Sequence, residues 1–204
     1  MKRILAVCVG LLMASSASAS PTNLIGDWTQ GFSTDYTLNN TSQYEAGTYG
    51  FIEAHPFWVD VTGSPAGPVM YVNGRTDTPS TVWSRTFDAP ADTTLSFNAW
   101  LGSVCCTLAS GLNYPGPVLS FALNGNPLGA AVTDGPGVMQ FFSAAFWTGA
   151  GGPMTLSLLN ASTIYDGNDF AASGLSVEPV PEPVSLVLLG TGLTLAAWRR
   201  RRTS

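Results

Sequence analysis

The chain has 204 residues and a formal net charge of −5, and only 10% of its residues are charged. Six of its eight basic residues lie at the two ends, so residues 21–178 hold two basic and twelve acidic residues, a net charge of −10. A body this acidic repels phosphate backbones, which excludes nucleic-acid binding. Without its two ends the chain has about 160 residues, the size of a single domain.

The N-terminus has the pattern of a secretory signal. Lys2 and Arg3 precede an apolar run at residues 4–13, and residues 17–19 form an Ala-Ser-Ala cleavage site. We therefore predict a signal peptide at residues 1–19 that is removed on export. The alternative is a retained anchor, but the apolar run is too short to span a bilayer.

The C-terminus combines a proline motif, an apolar segment and a basic end. The prolines around Glu182 keep the chain extended there. Residues 184–198 carry no charge. As a helix they would span about 22 Å, and flanking arginines can snorkel to cover the rest of the hydrocarbon core. The arginines at residues 199–202 should stay cytoplasmic, so the segment predicts a transmembrane helix that holds the body outside.

This order of features resembles the PEP-CTERM sorting signal of Gram-negative bacteria. The matching positions are Val180, Pro181, Glu182, Pro183, Arg199, Arg200, Arg201 and Arg202. The resemblance assigns residues 179–204 to a sorting signal and implies processing by an exosortase at or near the Pro-Glu-Pro motif. It also implies a host that makes exopolysaccharide. The alternative is an ordinary single-pass anchor behind a proline linker.

Between the ends, short runs typical of strands alternate with turn residues, and no window shows a helical period. We predict strands at residues 69–72, 80–87, 94–101, 118–123, 138–147, 154–159 and 170–177. Residues 94–101 alternate, with Leu95 and Phe97 on one side and Asn98 and Trp100 on the other. Residues 138–147 are apolar on both faces, which predicts a central strand. The pattern predicts an all-β fold, an antiparallel β-sandwich over residues 20–178.

Several short segments resemble exported bacterial domains with a galactose-binding-like jelly roll. They include residues 45–49, 70–74, 82–84, 121–125 and 167–171. Such domains commonly carry an Asp-Asp pair, often part of a structural calcium site, where this chain has Ser173 and Gly174. Asp166 and Asp169 remain candidate calcium ligands, and an Asx-rich turn is the alternative. No other metal or cofactor is predicted.

The chain offers little for catalysis. His55 is the single histidine, no G-x-S-x-G elbow occurs, and a loop or edge-strand role explains this residue. Glu45, Glu53 and Asp60 could supply paired carboxylates for a secreted hydrolase, but their spacing does not require it. We predict that the protein is not an enzyme.

Cys105 and Cys106 are adjacent, and they are the cysteines left once Cys8 departs with the signal. Export exposes them to an oxidising compartment. Our hypothesis is an intrachain disulfide between them that stiffens the following loop. The alternative is two free or differently paired thiols.

Exposed aromatic side chains on a sandwich can stack on sugar rings. The candidates for glycan binding are Trp58, Trp83, Arg85, Trp100 and Tyr114. The alternative for each aromatic is packing in the core or on a sheet face. We predict an exported surface or matrix protein with a carbohydrate-binding sandwich. The alternative interpretations are a structural biofilm component without a specific ligand, or a secreted hydrolase.

Overall fold

A computed structural model describes residues 22–53, 55, 57–77, 79–106, 116–132, 135–164 and 166–180, and their regular structure is entirely β. The strands are β1 (Thr37–Leu38), β2 (Thr48–Gly50), β3 (Val69–Asn73), β4 (Ser80–Ala89), β5 (Thr94–Ser103), β6 (Val118–Leu123), β7 (Asn126–Val132), β8 (Gln140–Trp147), β9 (Gly152–Asn160) and β10 (Phe170–Pro179).

The strands form two sheets. One has six strands in the order β1-β2-β3-β10-β5-β8, and the other has four in the order β4-β9-β6-β7. This confirms the predicted jelly-roll β-sandwich. All pairings between the longer strands are antiparallel, whereas the short strands β1 and β2 pair in parallel.

The core lies between the sheets and follows from the alternation of side chains along each strand. In β5, Leu95 and Phe97 point inward and are buried, as predicted. Leu156 and Leu158 of β9 close the core from the other sheet. Each such buried side chain contributes about 1.5–3 kcal/mol relative to an exposed one.

The Asn-Gly pairs of the sequence have two different roles. Asn124 and Gly125 link β6 to β7 with φ values of 50° and 78°, the backbone of a two-residue hairpin turn. Gly74 follows β3, but the next strand, β4, lies in the other sheet. The second pair therefore marks a crossing between sheets.

The prediction of a central strand at residues 138–147 is wrong. β8 lies at the edge of the six-stranded sheet and pairs with β5 on one side. Phe142 and Phe146 pack against the core, while Phe141 and Trp147 on the opposite face are exposed. The outer face of the strand is apolar because it carries exposed aromatic side chains. Its apolar character therefore does not come from burial in the core.

Part of the outer face of the six-stranded sheet is covered by the segment that precedes β3. Trp58 forms a β-bridge with Cys105, and Thr62 forms one with Val138. Trp58 and the neighbouring Met139 belong to a second apolar cluster on this face. The segment thus covers the half of the face that lies at the end of β5 and the start of β8, and leaves the other half open.

No helix among the described residues is long and apolar enough to cross a membrane. The predicted signal peptide at residues 1–19 and the predicted transmembrane helix at 184–198 both lie outside the described residues.

Candidate functional site

The open half of the outer sheet face combines exposed rings with polar side chains from three neighbouring strands. In the strand register, Trp100 lies opposite Phe141, and Asn98 lies opposite both Ser143 and Ser176. We call this surface the β5–β8 face. It consists of Ser96, Asn98, Trp100, Phe141, Ser143, Ala145, Trp147 and Ser176.

An aromatic pair stands at one end of the β5–β8 face. The ring centroids of Trp100 and Phe141 are 5.3 Å apart, with the planes tilted by 52°. Phe141 is 56% exposed. Its neighbour Trp100 is half-buried, so the pair presents apolar surface to solvent while one ring is held by packing.

Gly174 makes room for the buried side of this pair. It has a φ of +62° within a register irregularity between Ser173 and Ser176. A Cβ atom at Gly174 would lie 3.0 Å from the Cγ of Pro65 and 3.3 Å from the Cδ1 of Trp100. Glycine is therefore required both by the backbone conformation and by the close approach of these two rings.

A hydrogen-bonded polar row crosses the middle of the β5–β8 face. The Oδ1 of Asn98 accepts bonds from the hydroxyls of Ser143, at 2.8 Å, and Ser96, at 3.1 Å. The two serine hydroxyls lie 3.0 Å apart, and the Asn98 amide approaches Ser176 at 3.5 Å. These groups are fixed in place and retain acceptor capacity on their hydroxyl oxygens, so they can bind further hydroxyl groups.

Trp147 closes the other end of the face. It is 60% exposed and stands six residues along β8 from Phe141. At about 3.4 Å per residue the two rings are roughly 20 Å apart along the strand. The surface is therefore elongated, with aromatic rings at both ends and polar groups between them.

Of the five predicted glycan-binding residues, the structure places Trp100 on this face and Trp83 in the core. Trp83 is 0% exposed, and its indole N–H donates a 2.9 Å bond to the carbonyl oxygen of Trp28. The prediction that Trp83 stacks on a glycan is wrong, because no sugar can reach a ring packed between the sheets.

Trp58 also lacks a free ring face. It stacks between His55, with ring centroids 4.8 Å apart, and Tyr71, at 6.2 Å. It is 6% exposed. The structure therefore contradicts a direct stacking role for Trp58, which instead fixes the covering segment to the sheet.

Arg85 and Tyr114 do not join the β5–β8 face in the described structure. Arg85 lies on the four-stranded sheet, where its Nη1 donates to the carbonyl oxygens of Asp27 and Gln30 at 2.6 and 2.8 Å. It therefore anchors the loop before β1, and a role for it in glycan binding stays a prediction. Tyr114 lies outside the described residues.

Asp169 is a buried carboxylate at the covered end of the same sheet. Its Oδ2 accepts a 2.8 Å bond from the indole of Trp58, and its Oδ1 accepts a 3.2 Å bond from the amide of Gly74. Burial raises the pKa of Asp169, while partial burial lowers the pKa of nearby His55. Both polar contacts of Asp169 are structural, and they join the covering segment to the end of β3.

Calcium binding stays a prediction. Within the described part of the chain, no three His, Cys, Asp or Glu side chains gather as a metal site would require. Asp166 is exposed, whereas Asp169 is buried. The two candidate ligands therefore occupy different environments.

Cys105 and Cys106 are joined by a disulfide in the structure, directly after β5. Cys105 is buried and forms the β-bridge with Trp58. The pair thus lies beside the second apolar cluster. Its redox state in the exported protein stays a prediction.

The residues that sequence reasoning missed are those on β8. Phe141, Ser143 and Trp147 share one face because they are separated by even numbers of positions. That period-two relationship is visible in the sequence. What the sequence did not reveal is that this face is open to solvent.

The sequence profile of the PEP-CTERM protein-sorting motif matches residues 179–202. The chain carries a PEP-CTERM sorting motif. It is accordingly an exported protein of the cell surface that is sorted by an exosortase. Within the motif, Val180 is described, and its amide donates a 2.9 Å bond to the carbonyl oxygen of Thr94. The Pro-Glu-Pro residues and the arginines lie outside the described residues.

Several solved structures are similar to the chain at low sequence identity. A Stig cyclase, Fisc, from Fischerella sp. TAU is 13% identical with a TM-score of 0.51, covering 82% of this chain and 93% of its own. The sugar-binding C-terminal domain of EclA is 15% identical with a TM-score of 0.46, covering 68% and 90%. The CBM22-1 xylan-binding domain of Paenibacillus barcinonensis Xyn10C is 11% identical with a TM-score of 0.41, covering 79% and 93%. No curated protein sequence matches the chain. The likeness to the cyclase concerns the fold alone.

Proposed function

We propose that the exported domain is a non-catalytic module that binds neutral polysaccharide chains along the β5–β8 face. The observation that carries this proposal is the arrangement on that face. An aromatic pair and a single exposed Trp147 flank a hydrogen-bonded row of serine and asparagine side chains.

The two kinds of side chain suit the two kinds of surface on a sugar. The apolar faces of pyranose rings stack on aromatic rings, and sugar hydroxyls exchange hydrogen bonds with amides and hydroxyls. Phe141 and Trp147 are exposed large rings, an exposure that marks interaction surfaces when the rings are grouped with polar neighbours. Their separation along β8 favours an extended chain over a single sugar.

The negative charge of the domain restricts which class of glycan it is expected to bind. The β5–β8 face contains no basic side chain, the carboxylate of Glu178 on β10 lies at its border opposite Ser96, and residues 21–178 have a net charge of −10. The field of this body repels polyanions. Neutral glycans therefore fit better than those rich in uronic acid, sulfate or phosphate groups.

We propose binding and not catalysis because the hydroxyl, amide and aromatic groups on the face are too weakly acidic or basic to act near neutral pH. Hydroxyls, an amide and aromatic rings can hold a sugar, but they do not transfer protons readily near neutral pH. Export to an exopolysaccharide-rich surface brings the module to such chains. Binding there would retain the protein in the matrix after its tail has been processed.

A glycan array probed with the exported protein tests the proposal. We expect saturable binding to one or more neutral polysaccharides. Separate Trp100→Ala, Phe141→Ala and Trp147→Ala variants should each weaken it about tenfold, or about 1.4 kcal/mol. Val118→Ala removes an exposed apolar side chain from the other sheet and should leave binding unchanged.

Three results would contradict the proposal. They are a flat response to all neutral glycans, binding confined to anionic glycans, and equal loss in the Val118→Ala control. A flat response by a folded protein would favour a structural role at the surface. Thermal unfolding of each variant establishes that the protein is folded in every comparison.

A further inference from the structure

Within the described part of the chain the outer edge of β8 is open along Gln140–Trp147, whereas just before the strand Met139 donates to the carbonyl oxygen of Thr62 and the covering segment closes the edge. β8 pairs with β5, and no described strand lies beyond it. The amide of Thr148 donates to the carbonyl oxygen of Thr93, which shows which residues face β5. Because these groups alternate along an antiparallel pair, the N–H and C=O groups of Phe141, Ser143, Ala145 and Trp147 point to the open edge.

Two of the other sheet edges are shortened or interrupted. β1 has only two residues. β7 contains Pro127, which has no N–H to donate, and Gly129, which lies next to a register irregularity. Short strands, prolines and bulges are the devices by which proteins prevent edge-to-edge pairing.

β4 is protected by a loop and by charge. Ser33 exchanges two backbone hydrogen bonds with Ser84, and the amide of Asp35 donates to the carbonyl oxygen of Thr81. The strand also carries Arg85, and charged side chains disfavour pairing with another strand.

Apart from the contact of Thr62 with the residues just before it, β8 has none of these protective features in the described part of the chain. Its eight residues read Gln-Phe-Phe-Ser-Ala-Ala-Phe-Trp, without proline, glycine or charge. An uncharged edge of this length, with exposed rings, is a template for another strand. One edge left open while three others are protected indicates that this edge has a partner.

The order of aromatic and small residues in β8 is the same in both chain directions. About Ala144, two aromatic residues on each side enclose three small ones. In an antiparallel pair of identical strands centred there, Phe141 faces Trp147 of the second copy and Phe142 faces its Phe146. Ser143 faces Ala145, and small residues meet along the middle. Outer-face side chains meet outer-face side chains, as the pleat requires.

From this self-complementarity we propose that two copies of the chain pair through β8 about a two-fold axis at Ala144. The odd-numbered residues face each other as hydrogen-bonded pairs and exchange about eight N–H···O bonds. The two six-stranded sheets become one continuous sheet. Because the described part of each chain has a single open edge of this kind, the pairing closes at two copies.

The dimer does not depend on glycan binding. If the proposed function holds, the dimer has a further consequence, which rests on it: the β5–β8 faces of the two copies adjoin and double the width of the binding surface. Phe141 of each copy then stands beside Trp147 of the other. Glycan binding without dimerisation, or dimerisation without binding, separates the two proposals.

Disulfide trapping of the full-length chain in the exporting cell tests the pairing. An Ala144→Cys variant brings the two sulfur atoms together, because opposed Cα atoms of a non-hydrogen-bonded pair are about 4.5 Å apart. With a mild oxidant we expect a dimer on a non-reducing gel, reversed by reductant. Ser143→Cys is the matched control, since two copies of that residue lie roughly 9 Å apart and cannot be bridged.

Charge substitutions then test the register. Adding Ser143→Lys and Ala145→Lys to the Ala144→Cys chain opposes like charges and should abolish the dimer. Adding Ser143→Lys and Ala145→Glu opposes unlike charges and should restore it. The proposal is overturned by any of three results: no dimer from Ala144→Cys, an equal dimer from Ser143→Cys, or cross-linking insensitive to the charges. A product of another size would indicate a donated strand from a different protein, and would also overturn it.

Discussion

The indole N–H of Trp58 donates a 2.8 Å hydrogen bond to the Oδ2 of Asp169, across 111 positions of the chain. This contact joins the segment that covers half of the outer sheet face to the start of β10.

Replacing Trp58 with phenylalanine should destabilise the fold. Trp58→Phe keeps an aromatic ring between His55 and Tyr71 but removes the donor to a buried carboxylate. Leaving such an acceptor without its partner costs about 1–3 kcal/mol in the free energy of unfolding, measured by urea denaturation. Trp147→Phe, on the exposed surface, should change stability by less than about 0.5 kcal/mol. Equal effects of the two substitutions would contradict a structural role for the contact.

Stability should depend on the ionisation of Asp169. Burial raises its pKa above the ordinary 3.8, although the bonds from Trp58 and Gly74 act in the opposite direction. A carboxyl with a raised pKa binds its proton more tightly in the folded state, so its contribution to stability falls as pH rises from about 3.8 through the raised pKa. Urea unfolding should therefore show wild type losing stability relative to Asp169→Asn as pH rises across this window. A constant difference would contradict the prediction.

Through His55, the stability of the fold should change with pH in the opposite direction. Partial burial lowers its pKa below the ordinary 6.5, outweighing the nearby carboxylates of Asp169 and Glu53. The folded state then binds the proton less tightly than the unfolded chain, so stability falls as pH drops below 6.5 through the lowered pKa. A His55→Gln variant should lose this dependence and keep that of Asp169. Identical pH profiles for the variant and wild type would argue against it.

The adjacent cysteines should be oxidised in the exported protein. Because export places Cys105 and Cys106 in an oxidising compartment, we expect an intact mass lower by two hydrogens before reduction than after it. A thiol-alkylating reagent should modify neither residue until a reductant is added. Two alkylated cysteines in unreduced protein, or a dimer linked through them, would reject the pairing.

The tail should be processed at the sorting motif. Intact mass of the protein from cells with the exosortase should lack the residues that follow the Pro-Glu-Pro motif, whereas cells without the enzyme should retain Ser204. Glu182→Ala, within the motif, should block the loss, and Glu178→Ala, in β10, should not. An unchanged mass in both kinds of cell would mean that the tail is only an anchor.

Alternation along single strands was sufficient to predict much of the core. In β5, Leu95 and Phe97 are inside and Asn98 and Trp100 are outside, as the period-two pattern indicated. This works because side-chain direction in a regular strand depends only on position. It also placed Trp100 on the outer side of the strand, where the structure has it, while its role in glycan binding stays a prediction.

The same rule failed where a strand is irregular. A register shift between Thr81 and Trp83 lets the consecutive residues Val82 and Trp83 both point inward, so Trp83 is core. Nothing in the local sequence marks that shift. The burial of Trp58 likewise depends on Asp169, and the edge position of β8 depends on which strands pair. These are long-range relationships that a strand's own pattern does not contain.

The bond between the Val180 amide and the Thr94 carbonyl has a consequence for the processing enzyme. Pro181 is the next residue, so no spacer separates the last backbone bond of the sandwich from the recognition motif. The amide of Leu24 donates to the carbonyl oxygen of Val177 nearby, so the first described residues are attached to the same end of the sandwich. We therefore expect the folded domain itself to restrict the approach of the exosortase to its recognition motif.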